Sequence, residues 1–321
     1  MKALQQCRWS PRWVSHLGCI QGCLDYLGAP ITDAWLYGGT GHAFVINVHD
    51  EVCPSGPTAW NTSKLSELGG NLGYRVDGIF GSRWDGNLKR SQDRAWDLAR
   101  RTIDDGRPCY AWELKIPEFY VVYGYDEVGY YYSGPGCLEG EGPKPWQTLG
   151  DTGIGVVELY ALALQPPAGD TRTVVEALSF GIEHASHPNA WVFERYRSGP
   201  SAYDTWMHAL EVGGASDHGM RYNAAVWLEC RRNAVAFLAE AKRRLVGRAD
   251  EAFDEAHEQY AAVARHLGEV AEAYPWLDEV SEDALVPQDR RSDAAIDALD
   301  AAKQAEVGGL AALEEIVRAL A

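Results

Sequence analysis

Cysteine is the residue type here most suited to chemistry, and Ser15-His-Leu-Gly-Cys19-Ile-Gln-Gly-Cys23 carries two of the chain's seven, four residues apart. A cysteine attacks as its thiolate, and the unpaired N–H groups and dipole at the start of a helix favour that charge. The apolar spacing of Ile20, Leu24 and Leu27 predicts a short helix opening at Cys19, with Gly28 to Pro30 as its stop. Cys19 is therefore the candidate nucleophile. Its backbone N–H would be one oxyanion donor, with Gln21, Ser15 and the Gln5-Gln6 pair as unranked candidates for a second. On a helical projection Cys19 borders the apolar stripe, Cys23 falls nearer to it and reads as core, and Gly18 and Gly22 lie on the opposite flank, where small residues would admit a substrate.

Metal chemistry is not expected. A structural zinc site brings four ligands, and no second pair accompanies Cys19 and Cys23. Glu183, His184 and His187, and Asp254 with His257, lack the repeated Glu-x-x-His of carboxylate-bridged bundles. No cofactor is expected.

The elements that must position these groups divide the chain in two. After the first helix come glycine punctuation, a strand-like run from Ala43 to Val48, a helix from about Arg90 to Asp104, and the strand-like runs CYAWEL, FYVVYGYD, YYYSG and VVELYALAL. These predict an antiparallel sheet ending near Leu164. Gly81 to Gly86 and Gly134 to Pro145 read as glycine-rich loops bordering a cleft. Beyond Gln165 to Asp170 the periodicity turns helical, at roughly 171 to 187, 201 to 212, 219 to 246, 249 to 274 and 291 to 320. The expected fold is α+β, with a first domain over 1–165 and an all-helical second domain over 170–321.

The chain of 321 residues has 46 acidic and 29 basic side chains, a formal net charge of −17 that repels phosphates and argues against nucleic-acid and anionic-membrane partners. There is no signal-peptide pattern and no apolar run of transmembrane length, and seven scattered cysteines do not form a secreted disulfide framework. The expectation is a cytoplasmic protein with reduced thiols.

A cysteine helix near the N-terminus, then much later a strand ending in Gly-Tyr-Asp and a tight turn into another strand, resembles the papain-like cysteine-peptidase superfamily. The residues are HLGCIQGCLDYLG at 16–28, LYGGTGHAF at 36–44 and FYVVYGYDEVGYYYSGPG at 119–136. The likeness is to bacterial branches: the bacteriocin-leader-processing peptidases and the N-terminal domain of the butirosin-biosynthesis acyltransferase, the latter followed by a helical region. It covers roughly the first 165 residues, and implies a papain-like domain, a thiol nucleophile at Cys19, a histidine base on the later strand and an acidic or amide residue to orient it. The sequence departs from that pattern at the base: Glu118 or Phe119 occupies the histidine's place, the orienting position falls near Ser133, and no histidine lies between His49 and His184. The positional replacements are His42, in Gly-Gly-Thr-Gly-His, and Glu118, just after Pro117.

In the second half, SGPSAYDTWMHALE at 198–211 opens a helix with Tyr203, Asp204 and Trp206, which either contribute to a ligand site or serve as capping (Ser201, Asp204) and core (Trp206, Leu210). Two functions follow: thiol-dependent amide or thioester chemistry, hydrolase or acyltransferase, with Cys19 as nucleophile and His42 or Glu118 beside it; or a catalytically inactive papain-like protein that binds a small molecule or peptide in the same cleft. The expected partner is a small-molecule or peptide substrate, with a homodimer through the helical half as a possible assembly.

Overall fold

A computed structural model describes residues 1–29, 31–277, 281 and 284–321. In chain order its elements are β1 (Lys2–Ala3), α1 (Ser15–Tyr26), α2 (Asp33–Gly39), β2 (Asn47–His49), α3 (Ser63–Gly69), β3 (Tyr74–Ser82), α4 (Leu88–Asp104), β4 (Cys109–Trp112), β5 (Phe119–Tyr125), β6 (Gly129–Gly134), β7 (Cys137–Pro145) and β8 (Val156–Leu164). There follow α5 (Asp170–Ser186), β9 (Tyr196–Ser198), α6 (Pro200–Glu211), α7 (Asp217–Arg244), α8 (Asp250–Ala273) and α9 (Arg290–Leu320). The fold class is α+β: an antiparallel sheet in the N-terminal half, helices in the C-terminal region. Among the described residues no helix is long and apolar enough to cross a membrane.

These elements form two compact units. Unit 1 is Met1–Thr32 with Gly73–Pro167, and unit 2 is Asp33–Leu72 with Ala168–Ala321. The division near Pro167 lies close to the expected linker, but the stretch from Asp33 to Leu72, read by sequence as part of the first domain, is grouped with the helices. Its short helices carry too little apolar surface to form a core of their own, and their partners are far along the chain, as where Gly38 of α2 abuts Phe237 of α7.

In unit 1 the sheet order is β3-β8-β4-β5-β6-β7, with β1 added to β5. Its central strands carry the apolar and aromatic runs: Tyr110, Ala111, Tyr120, Val121, Val122 and Leu159 are fully buried. Helix α4 buries Ala95, Trp96, Ala99 and Ile103, recurring at helical spacing. Two segments read as loops are strands in part, with Arg83–Asp85 remaining a 3-10 turn that ends at Gly86. Gly81 and Ser82 end β3, and Cys137 to Pro145 form β7, whose Glu, Gly and Lys content reflects an edge exposed to water. The expected strand over Ala43 to Val48 resolves into a 3-10 turn, His42–Phe44, and the short β2.

Helix α1 starts at Ser15, one turn earlier than the spacing predicts, so Cys19 lies within the helix and does not open it. Pro30, expected to help end α1, lies outside the described residues. The glycine flank of α1 is filled by the chain's own N-terminal segment. Ser10 N donates to Gly18 O at 3.1 Å and Trp9 Nε1 to Ser15 O at 3.1 Å. A Cβ on Gly22 would sit 1.9 Å from Arg8 O, and one on Gly18 2.4 Å from Trp9 Nε1. These glycines permit close backbone approach, and the neighbour they admit is residues 8–10.

In unit 2, α7 is capped by the Ser216 side chain, which accepts from Gly219 N at 3.0 Å, and ends in Lys242, Arg243 and Arg244, whose charge suits the C-terminal dipole. Helix α9 opens with a capping box between Asp289 and Ser292. Helix α6 is capped differently from its sequence reading: Gly199, at φ +60, is the N-cap and Pro200 takes the first helical position, where no N–H is needed. The core here contains Trp206, Trp227, Phe237 and Tyr260, together with one ion pair, Arg231 and Glu306, exposed 0 % and 1 %.

Candidate functional site

Within unit 1 the start of α1 does meet the start of β5, but the residues that meet are Ser15 and Glu118. The Ser15 hydroxyl donates to Glu118 Oε2 and accepts from Phe119 N at 3.0 Å. Both residues are buried. A signal for Ser15 was present: serine is a common first-turn residue, its hydroxyl able to hold local backbone groups.

Cys19, one turn on, has no exposed surface. Burial raises its thiol pKa well above the ordinary value, and the nearby Glu118 carboxylate and Cys7 raise it further. This is opposite to what a nucleophile needs: a carboxylate beside a thiol repels the thiolate, whereas an imidazolium would stabilise it. Cys23 is likewise fully buried with its pKa raised well above normal, first by burial and then by a hydrogen bond with Cys7. The single histidine in the sequence of unit 1, His16, is engaged with aromatic residues: Nε2 lies 3.1 Å from Tyr110 Oη, and the ring stacks on Phe119 at 4.2 Å between centroids. Gln21 is also buried; its Nε2 donates to Asp25 Oδ1 at 2.7 Å, and its Oε1 has no partner among the described residues.

His42 belongs to unit 2. Its Nδ1 lies 3.5 Å from a thiol, that of Cys230 on α7, and its ring meets Tyr37 and Trp60 edge-on. Sequence gave no hint of Cys230, which sits on the apolar face of a long helix. Both groups are buried, and the His42 pKa is pushed down to about 4, chiefly by burial and also by the Arg231 charge. Burial equally raises the Cys230 thiol pKa. Neutral thiol beside neutral imidazole, with no exposed surface on the sulfur, is a packing contact in this conformation.

The α6 candidates are committed elsewhere. Tyr203 is fully buried and its hydroxyl donates to Glu306 Oε2 at 3.0 Å. Trp206 is fully buried with Nε1 2.8 Å from Met220 Sδ. Asp204 faces outward and pairs with Lys303 at 2.6 Å. Thus Cys19, Glu118 and Gln21 lie in unit 1, while His42, Tyr203, Asp204 and Trp206 lie in unit 2. Among the described residues, His49, Asp50 and Glu51 bring three potential metal donors together, but Arg195 already pairs with Asp50 at 2.8 Å and Glu51 at 3.0 Å.

His184, fully buried, has neither ring nitrogen partnered among the described residues, and burial pushes its pKa down to about 3. An unfolded histidine titrates near 6.5, so between that pH and the folded values of His42 and His184 the unfolded chain binds more protons than the folded one. Stability is therefore full above about pH 7. It falls below pH 6.5 by about 1.4 kcal/mol per pH unit for each histidine, until the pH reaches about 4 for His42 and about 3 for His184. Urea midpoints measured from pH 7 to pH 4.5 are expected to show this slope, and His184→Leu to remove about half of the part due to the two rings.

No family model matches the chain, and no curated protein is similar enough to match it.

Proposed function

We propose that the protein is a catalytically silent, papain-like binding protein that holds a small molecule or peptide without forming a thioester to it. The observation that carries this reading is the enclosure of Cys19: no exposed sulfur, residues 8–10 seated on the glycine flank, and a carboxylate where a histidine would activate the thiol. A thiol enzyme needs a thiolate within reach of a carbonyl carbon, and each of these three features works against that. Glu118 is held by Ser15, which suits a carboxylate that fixes the junction of α1 with β5.

The test is turnover against binding. Acyl thioesters and short peptides are screened by thermal shift, and thiol or amine release is followed in the same samples. The expected result is that ligands which raise the melting temperature of the wild type raise that of Cys19→Ala equally, with no product from either. Product release by the wild type that disappears in Cys19→Ala would overturn the proposal.

A further inference from the structure

Strand β3 is one margin of the unit 1 sheet. Its residues pair with β8 from Tyr74 opposite Leu164 to Ser82 opposite Val156, and its other side carries no strand among the described residues. Arg75, Asp77, Gly78 and Phe80 are exposed along it and Val76 is half-buried, so the edge is open from Arg75 to Gly78, whereas Tyr74 is fully buried. An accessible edge of this length is a template for another strand. The ladder with β8 runs without a register shift, so side chains alternate strictly. A Cβ on Gly81 would meet Ser91 of α4, which puts Arg75 and Asp77 on that same helix-covered face. Asp77 to Ile79 line a groove of about 660 Å³ with Arg94, Leu98 and Arg101 of α4, leaving room for added side chains. Neither Arg75 nor Asp77 has an ion-pair partner among the described residues.

We propose that this edge pairs antiparallel with β3 of a second copy of the chain, about a twofold axis at Val76. Arg75-Val76-Asp77 is its own electrostatic complement. With Val76 opposite the partner's Val76, each Arg75 stands opposite the partner's Asp77, and four uncompensated charges become two cross-strand pairs. A twofold axis makes the contact self-complementary and closed, so association stops at the dimer. With Tyr74 buried, the ladder runs from Arg75 to Asp77 on each copy and is short, which makes the dimer concentration-dependent. This assembly uses the sheet, whereas sequence considerations favoured the helical half, and it does not depend on whether Cys19 reacts.

Sedimentation velocity of the full chain over a dilution series tests it. Arg75→Asp alone, or Asp77→Arg alone, sets like charges opposite each other and is expected to raise the midpoint concentration of dimerisation by about tenfold or more. The double swap, Arg75→Asp with Asp77→Arg, restores the complement and is expected to return the midpoint to within about threefold of the wild type. In the wild type, hydrogen exchange at Arg75 to Asp77 is expected to slow as concentration rises, a measurement that holds even if a variant folds poorly. A chain that stays monomeric, a dimer indifferent to the single changes, a double swap no better than either single, or exchange independent of concentration would each overturn the proposal.

Discussion

Replacing Arg231 with methionine is expected to lower the unfolding free energy by roughly 3–5 kcal/mol, read from denaturant midpoints at pH 7.5. The guanidinium is fully buried and each of its three nitrogens donates at least one hydrogen bond. Nε and Nη2 reach the two oxygens of Glu306 at 2.7 and 2.9 Å, and Nη1 reaches the carbonyls of Ala43 and Val45, each at 2.8 Å. Removing it leaves a buried carboxylate with the Tyr203 hydroxyl as its remaining described donor, and frees two carbonyls in the segment that carries His42. Desolvation makes half of such a pair more costly than none. The double variant Arg231→Met, Glu306→Leu is therefore expected to recover part of the loss. A single-variant loss under about 1 kcal/mol would mean the pair is not desolvated as described.

Trp206→Ala is expected to cost a similar amount, roughly 3–5 kcal/mol, because it removes a fully buried indole from the centre of unit 2. A Trp206 that served a ligand would behave differently, with little change in stability and a loss of binding. The partner of its Nε1, Met220 Sδ at 2.8 Å, belongs to the protein itself. Stability of the variant within about 1 kcal/mol of the wild type would return Trp206 to the list of ligand candidates.

What the sequence disclosed follows the strength of its periodic signal. The helix expected over 219 to 246 is found at Asp217–Arg244, because a long amphipathic stretch with a serine cap and a basic last turn is specified at every level. The central strands were legible because both faces are buried and their runs are continuous. The two margins of the sheet were not. Glycines at 78 and 81 interrupt the alternation of β3, and β7 is polar on both faces, so neither carries the pattern of a half-buried strand.

The candidate site failed at a similar level of detail. An error of one turn in the start of α1 put Cys19 where Ser15 stands, and the flank that seemed open was closed by residues 8–10, a contact no local pattern encodes. The approach of Glu118 to the start of α1 was anticipated by analogy of position. Its consequence was not: the carboxylate is taken by a hydroxyl, and its charge suppresses the thiolate. His42 did prove to face a thiol, but that of Cys230, which sits among apolar residues of a helix and gives no sequence cue.

The most direct measurement of the silent reading is the rate at which each cysteine reacts with iodoacetamide in the native protein at pH 8, followed by peptide mass mapping. Cys53 and Cys137, half-buried, are expected to label first. Cys19 is expected to label only as fast as the chain opens, with a rate that denaturant raises steeply. Selective labelling of Cys19 ahead of Cys53 and Cys137, with an apparent pKa well below the ordinary thiol value, would contradict the account and restore Cys19 as a nucleophile.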